Sequence, residues 1–211
     1  MMAESAIKAL AQLRDTSNFS WYIIPIFIFV FYVYAVEVEK KNWNVLFAGL
    51  AFWGMDVFNE IWNGLVFHFT DFAPVWGTTT KSVLEIFIGL NIEISLMFLV
   101  AGIACAKMLP KDKKKKILGI SNRLFLAVFN SILFVLVECL LNNIGVLTWE
   151  YWWWQPNFPY VLFLIGYMPF LVTCYWVHDM ETVKKKIIAV GTIFSVDALA
   201  IIVFSCILHW I

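Results

Sequence analysis

Six long apolar runs divide the chain, at about residues 20–36, 43–69, 81–106, 119–147, 158–177 and 186–210. Each can cross a bilayer core, which needs about 20 helical residues. Residues 3–14 have a different pattern: Ile7, Leu10 and Ala11 or Leu13 share one side, predicting a short amphipathic helix on the membrane surface. Pro25 in the first run and Pro169 in the fifth predict local kinks. The second run breaks its own pattern at Asp56, Asn59, Glu60 and Asn63, whose spacings of three, four and seven put them in one polar stripe. A carboxylate near the bilayer centre costs roughly 2.5–3.5 kcal/mol, so an intramembrane acid marks a candidate functional site.

The composition supports this pattern. The chain is 62% hydrophobic and 14% charged, against about 45–50% and about 25% in soluble domains. Charge adds orientation. Lys40 and Lys41, Lys107 to Arg123, and Lys184 to Lys186 follow the first, third and fifth runs, while the other side holds only Lys8, Arg14 and Lys81. By the positive-inside rule the lysine loops are cytoplasmic and both termini lie on the non-cytoplasmic side. The run Lys111 to Lys116 then reads as an orientation signal and phospholipid contact, not a nucleic-acid site. The four cysteines fall in apolar segments without paired spacing and read as small core residues.

A recurrence links the halves. Glu60, a following glycine, an aromatic loop and Ile88-Gly89 return as Glu138, Gly145, a second aromatic loop and Ile165-Gly166, at offsets near 77 to 81. The expected fold is therefore all-α and polytopic. It is a single transmembrane domain over 1–211, with a surface helix in 1–19 and six transmembrane helices in two three-helix halves, 20–106 and 107–211. Three crossings would invert the second half, and inverted halves commonly place a site between them near mid-membrane.

Asp56, Glu60, Glu85, Glu93, Glu138 and Asp197 all fall inside the apolar runs, with no Lys or Arg at their depth. Charged, they would cost roughly 15–20 kcal/mol together. They are therefore protonated, bind a cation, or line water. Glu60, Glu85 and Glu138 fall at similar depth in the outer half, with Asp56 slightly deeper and Asp197 near the centre. The three histidines, His68, His178 and His209, lack metal-ligand spacing, and no cofactor fingerprint occurs. An all-carboxylate site for a hard cation remains an alternative.

A neutral acid in a dry pocket can protonate an alkene or epoxide, a neighbouring carboxylate can take a proton back, and aromatic faces stabilise the passing carbocation. The candidate acids for this chemistry are Asp56, Glu60, Glu85 and Glu138. Candidate substrate contacts are Trp53, Asn59, Trp62, Asn63, Phe67, Asn91, Asn142 and Trp149, and the substrate would be a lipophilic isoprenoid dissolved in the membrane lipids. The aromatic loops at 71–77 and 149–156 read either as headgroup anchors or as a lid. Two other functions fit the same residues: a proton, cation or small-molecule transporter, and a non-catalytic lipid-binding or assembly subunit whose polar groups join helices.

The stretch Phe87-Ile88-Gly89-Leu90-Asn91-Ile92-Glu93-Ile94-Ser95, with the Phe98 region after it, resembles the helix of the small membrane lycopene cyclases that carries Ile-Gly-x-x-Pro-x-Glu-Glu. The preceding helix with Asp56 and the loop ending in Trp76-Gly77 are similar in order, and Ile165-Gly166-Tyr167-Met168-Pro169 keeps the proline in register. Ile92 stands at the proline position of the first copy, Glu93 falls one position before the acid pair, and Leu171 and Val172 stand at the acids of the second. The resemblance implies a helical membrane fold and acid-catalysed terpene cyclisation or isomerisation.

Overall fold

The computed structural model describes residues 1–211 as a mainly helical bundle. In chain order, α1 spans Glu4–Gln12, α2 Ile23–Glu39 and α3 Trp43–Thr70; β1 is Gly77–Thr78, β2 Glu85–Phe87 and β3 Leu90–Asn91. Then α4 spans Ile92–Lys107, β4 and β5 form a small hairpin at Lys116–Ile117 and Ile120–Ser121, and α5 spans Asn122–Asn143. After β6 (Leu147–Thr148), a π-helical segment at Leu162–Tyr167 leads into α6 (Met168–Asp179), and α7 runs over Val183–Ile201.

The longest helix, α3, is the centre of the bundle, packed by α2, α4, α6 and α7. Its glycines explain how neighbours come so close. A Cβ on Gly49 would meet Ile103 at 2.7 Å, and one on Gly54 would meet Ile193 at 2.6 Å. On α4, a Cβ at Gly102 would stand 2.8 Å from the Gly49 carbonyl oxygen, so α3 and α4 touch backbone to backbone. The core between them centres on Phe52, whose ring lies 5.8 Å from those of Phe98 and Phe134 and 5.5 Å from Phe170. Outward-facing positions are equally apolar: Ile28, Phe31, Leu136, Leu140, Leu199 and Ile207 are all exposed. Two helical stretches, Asn122–Asn143 and Val183–Ile207, are long and apolar enough to cross a membrane by length and composition.

One apolar run departs from expectation. Residues 81–91 are not the start of a helix: Glu85 to Asn91 fold as the β2–β3 hairpin, with Asn91 accepting the Ile94 N–H at 2.8 Å as the cap of α4. An N-cap oxygen satisfies a backbone donor that the first helical turn leaves free. Glu93 is consequently a first-turn residue at the rim, accepting from the Val83 N–H at 3.0 Å and from the Tyr22 hydroxyl. Pro169 stands in the first turn of α6, just after the π-helical segment. Pro169 has no N–H for the Ile165 carbonyl, and that oxygen instead accepts Asn59 Nδ2 at 3.4 Å. Pro25 sits in the first turn of α2, where no helical bond is lost. In α1, Ala6 and Ala9 are buried and Ile7 and Leu10 are exposed, so the helix docks through its alanines. Cys206 is exposed, unlike the core residue expected there, whereas Cys105 and Cys174 are buried.

The basic loops gather at one end. Arg123 grips Asp179 with Nε and Nη2, both at 2.8 Å, and Lys107 pairs with the buried Glu37. Lys186, buried at the start of α7, donates to the carbonyls of Val177, His178 and Met180 at 2.7–2.8 Å. These carbonyls lie at the end of α6, where His178 and Met180 have no following helical turn to bond; Val177 also accepts the Met180 N–H at 3.3 Å. At the other end, β1 pairs with β6, Gly77 against Thr148, which joins the loop after α3 to the loop after α5. The two helices therefore run towards the same face. The recurrence offset of 78 relates α3 to α5, so it connects segments of the same direction and not inverted ones.

Candidate functional site

Between α3, α4, α5 and the π-helical segment lies a cavity of about 300 Å³. Three of the candidate acids line it: Asp56 and Glu60 from α3, and Glu138 from α5. Asp56 and Glu60 are 2% and 3% exposed, and no Lys, Arg or His reaches the lining. Glu60 Oε1 accepts the Trp76 indole N–H at 2.8 Å, and Glu138 Oε1 accepts the Tyr167 hydroxyl at 2.5 Å. Glu60 Oε2 and Asp56 Oδ2 are buried with no partner. Buried polar atoms are nearly always hydrogen-bonded, so each of these two carboxyl groups is left with one oxygen unsatisfied within the protein.

The walls are aromatic. Phe98, Phe134 and Phe170 close the side towards the core, and Trp76 and Trp154 close the side towards the β1–β6 loops. Trp76 and Trp154 stack at 5.1 Å and 27°, and Trp62 packs on both without reaching the lining. The loops are joined over the hollow, since the Tyr151 hydroxyl donates to the Ala73 carbonyl at 2.8 Å. Of the two readings of these loops, the closed cover is the one seen for Trp76 and Trp154, while Trp152 is exposed.

The recurrence reappears in the walls. Asp56, Asn59 and Glu60 stand at positions matched, 78 residues on, by Phe134, Val137 and Glu138, and all six line the cavity. Gly89 and Gly166 also line it, each beneath a tryptophan: a Cβ on Gly89 would meet Trp76 at 2.5 Å, and one on Gly166 would meet Trp154 at 3.3 Å. A glycine is needed wherever an indole approaches the backbone this closely.

Several expected site residues lie elsewhere. Glu85 does not line the cavity; it belongs to the β2 strand and accepts from the Thr78 hydroxyl. Asn63 is a loop staple, with Oδ1 accepting the Val75 N–H at 2.7 Å and Nδ2 donating to the Trp76 carbonyl at 2.8 Å. Asn142 donates to the Leu147 carbonyl at 3.0 Å, and Asn91 caps α4. Trp53 donates to Ser95 Oγ at 2.9 Å and packs on Phe194; Phe67 lines a second hollow beside α1; Trp149 is half-buried outside the cavity. Asp197 is buried on α7 with both oxygens unpartnered and also lies outside. Asn59 does line it. Tyr167, Phe98 and Phe170 were missed, although Tyr167 adjoins the Ile165-Gly166 repeat that could have flagged it.

The family model that matches residues 3–206 is described as an uncharacterized membrane protein family. An uncharacterized protein of Archaeoglobus fulgidus is 52% identical over 211 residues, spanning all of both chains. A shorter uncharacterized protein of the same organism is 49% identical over 53 residues, 25% of this chain and 95% of its own length. No solved structure matches. None of these matches reaches the lycopene cyclases or any named terpene enzyme, so that resemblance rests on its motifs alone. With a match covering nearly its whole length, the chain belongs to this uncharacterized membrane protein family.

Proposed function

We propose that the protein is a membrane-bound cyclase or isomerase of a lipophilic isoprenoid, terpene-like or carotenoid-like, working by protonation. The observation that carries this reading is the convergence of Asp56, Glu60 and Glu138 on one aromatic-walled cavity with no basic side chain in its lining. A carboxylic acid O–H gives its proton to an alkene carbon or epoxide oxygen. The π electrons form the new C–H bond, or the C–O bond opens, and a carbocation remains. An internal alkene then attacks to close a C–C bond, and a neighbouring carboxylate removes a proton to restore an alkene. The net change is an isomerisation that needs no oxidant, water or metal. Phe98, Phe134, Phe170 and Tyr167 are the aromatic groups lining the space in which the cation would pass. Trp76 and Tyr167 hold Glu60 and Glu138 in place through one oxygen each.

This reading includes six membrane spans formed by α2 to α7, as one domain of halves 20–106 and 107–211, with the lysine-rich end cytoplasmic and both termini opposite. The motifs similar to lycopene cyclases support it. The acids also favour it over a proton relay, because they gather in one hollow while Asp197 stands apart. Glu60→Gln and Glu138→Gln test it, each assayed as folded protein with a carotenoid-like polyene and a terpenoid epoxide. General acid–base groups contribute typically 10²–10⁴-fold, so cyclised product is expected to fall by about that factor. Undiminished turnover in both variants would refute the proposal.

A further inference from the structure

The cavity has one unclosed side. Met97 on α4 and Leu133 and Val137 on α5 all line it, yet they are 47%, 48% and 42% exposed on the outer surface of the bundle. The other walls are shut. The Trp76–Trp154 stack and Leu147 cover the loop side, and Phe98 and Phe170 pack into the Phe52 core. The opening exists because of how the helices pair: α5 packs on α6 and the π-helical segment, and α4 packs on α3. α4 and α5 do not pack closely on one another. Every side chain at the opening is a hydrocarbon or thioether, and the surface around it, Leu136, Leu140 and Phe129, is apolar and exposed. Water and ions gain nothing at such an opening, and a hydrocarbon loses nothing by crossing it.

We infer that the gap between α4 and α5 is a lateral portal through which a linear isoprenoid enters from the bilayer with one end, leaving the rest of its chain among the lipids. This rests on the acid-catalysis reading and specifies its substrate. At about 300 Å³ the hollow stands at the lower end of the range, roughly 300–1,000 Å³, that holds drug-sized ligands. It therefore takes a chain terminus rather than a whole long polyene. Asp56, Glu60 and Glu138 line the interior, so the enclosed end is the one that meets the acids. An isoprenoid reacting at its terminal unit fits both the volume and the opening.

Photolabelling of the full chain in phosphatidylcholine vesicles with a diazirine-tagged farnesol tests the portal. The expected result is labelling of interior positions such as Phe134 and Phe170. The Met97→Trp and Val137→Trp variants should reduce it by about tenfold, within the one to three decades over which on-rates vary among related complexes. Leu124→Trp, also exposed but in the first turn of α5 and outside the lining, controls for added bulk, and Val137→Phe serves if a tryptophan variant does not fold. Interior labelling that persists in the portal variants overturns the portal and leaves the acid chemistry standing. Absence of interior labelling in the unaltered protein overturns both.

Discussion

Asn63 and Glu60 lie three residues apart on one helix, yet only Glu60 reaches the cavity. Their spacing put both in one stripe, and periodicity cannot say how far along a helix a stripe stays open. The loop after α3 folds back and claims the last turn of it, so Asn63 is spent on the backbone of Val75 and Trp76. The same logic removed Asn91 and Asn142: each is a short polar side chain at the end of a helix, where capping competes with any other use. Carboxylates were the more legible residues, because a buried acid without a base needs a reason of its own, and three of the four named acids converge. Replacing Asn63 by Leu keeps its branched shape, with somewhat more bulk, but leaves the Val75 N–H and the Trp76 carbonyl without their partner, at about 1–3 kcal/mol for each such group. The expected outcome is a lower melting temperature and release of Trp76 from its stack with Trp154, followed by thermal unfolding and indole fluorescence. Unchanged values of both would show that the loop holds itself.

The six apolar runs mark where the six long helices lie, since hydrophobicity sustained over many residues leaves few alternatives. What they did not show is where one run is shared by two structures. Residues 81–106 read as one helix because Ile86, Phe87, Ile88 and Leu90 are as apolar as the true helix beyond them. In a short apolar run, helix and buried strand look alike; here Gly89, flattened under Trp76, marks the break. Helix pairing was not legible at all, because it depends on which glycines face a neighbour. Gly102 and Gly191 separate the two cases. Gly102→Ala puts a methyl group 2.8 Å from the Gly49 carbonyl oxygen, a backbone atom that cannot turn aside, and overpacking of this kind costs about 1–3 kcal/mol. Gly191→Ala meets nothing within 4 Å and gains up to about 1 kcal/mol of helix propensity. Thermal unfolding in detergent is expected to move down for the first and to stay level or rise for the second. Equal effects would mean that α3 and α4 are not held in backbone contact.

The two ends of the molecule are built on different principles. The aromatic end is joined by strand pairing and ring stacking, whereas the lysine-rich end depends on charge. There Asp179 accepts Arg123 through both oxygens, with His178 Nδ1 2.9 Å and Lys113 3.7 Å away, and this ties the start of α5 to the end of α6. Burial raises the Asp179 carboxyl, but the hydrogen bonds from Arg123 and His178 and the surrounding positive charge outweigh it, leaving the group at about 2 against an ordinary 3.8. A carboxylate held below its unfolded value contributes stability that is complete above the unfolded value and disappears as pH falls through the folded one. The clamp should therefore hold unchanged down to about pH 4 and release between about pH 4 and pH 2. Asp179 links α5 to α6, with Lys113 of the loop after α4 beside it, and α5 also forms one wall of the cavity, so its release would loosen that wall while α3 and α4 stay packed through their glycines. In a melting-temperature series from pH 6 to pH 2, the unaltered protein should lose stability in that window more steeply than Asp179→Asn, which has no charge to titrate and starts lower. Parallel curves for the two proteins would show that the charged end contributes nothing to holding α5 in place.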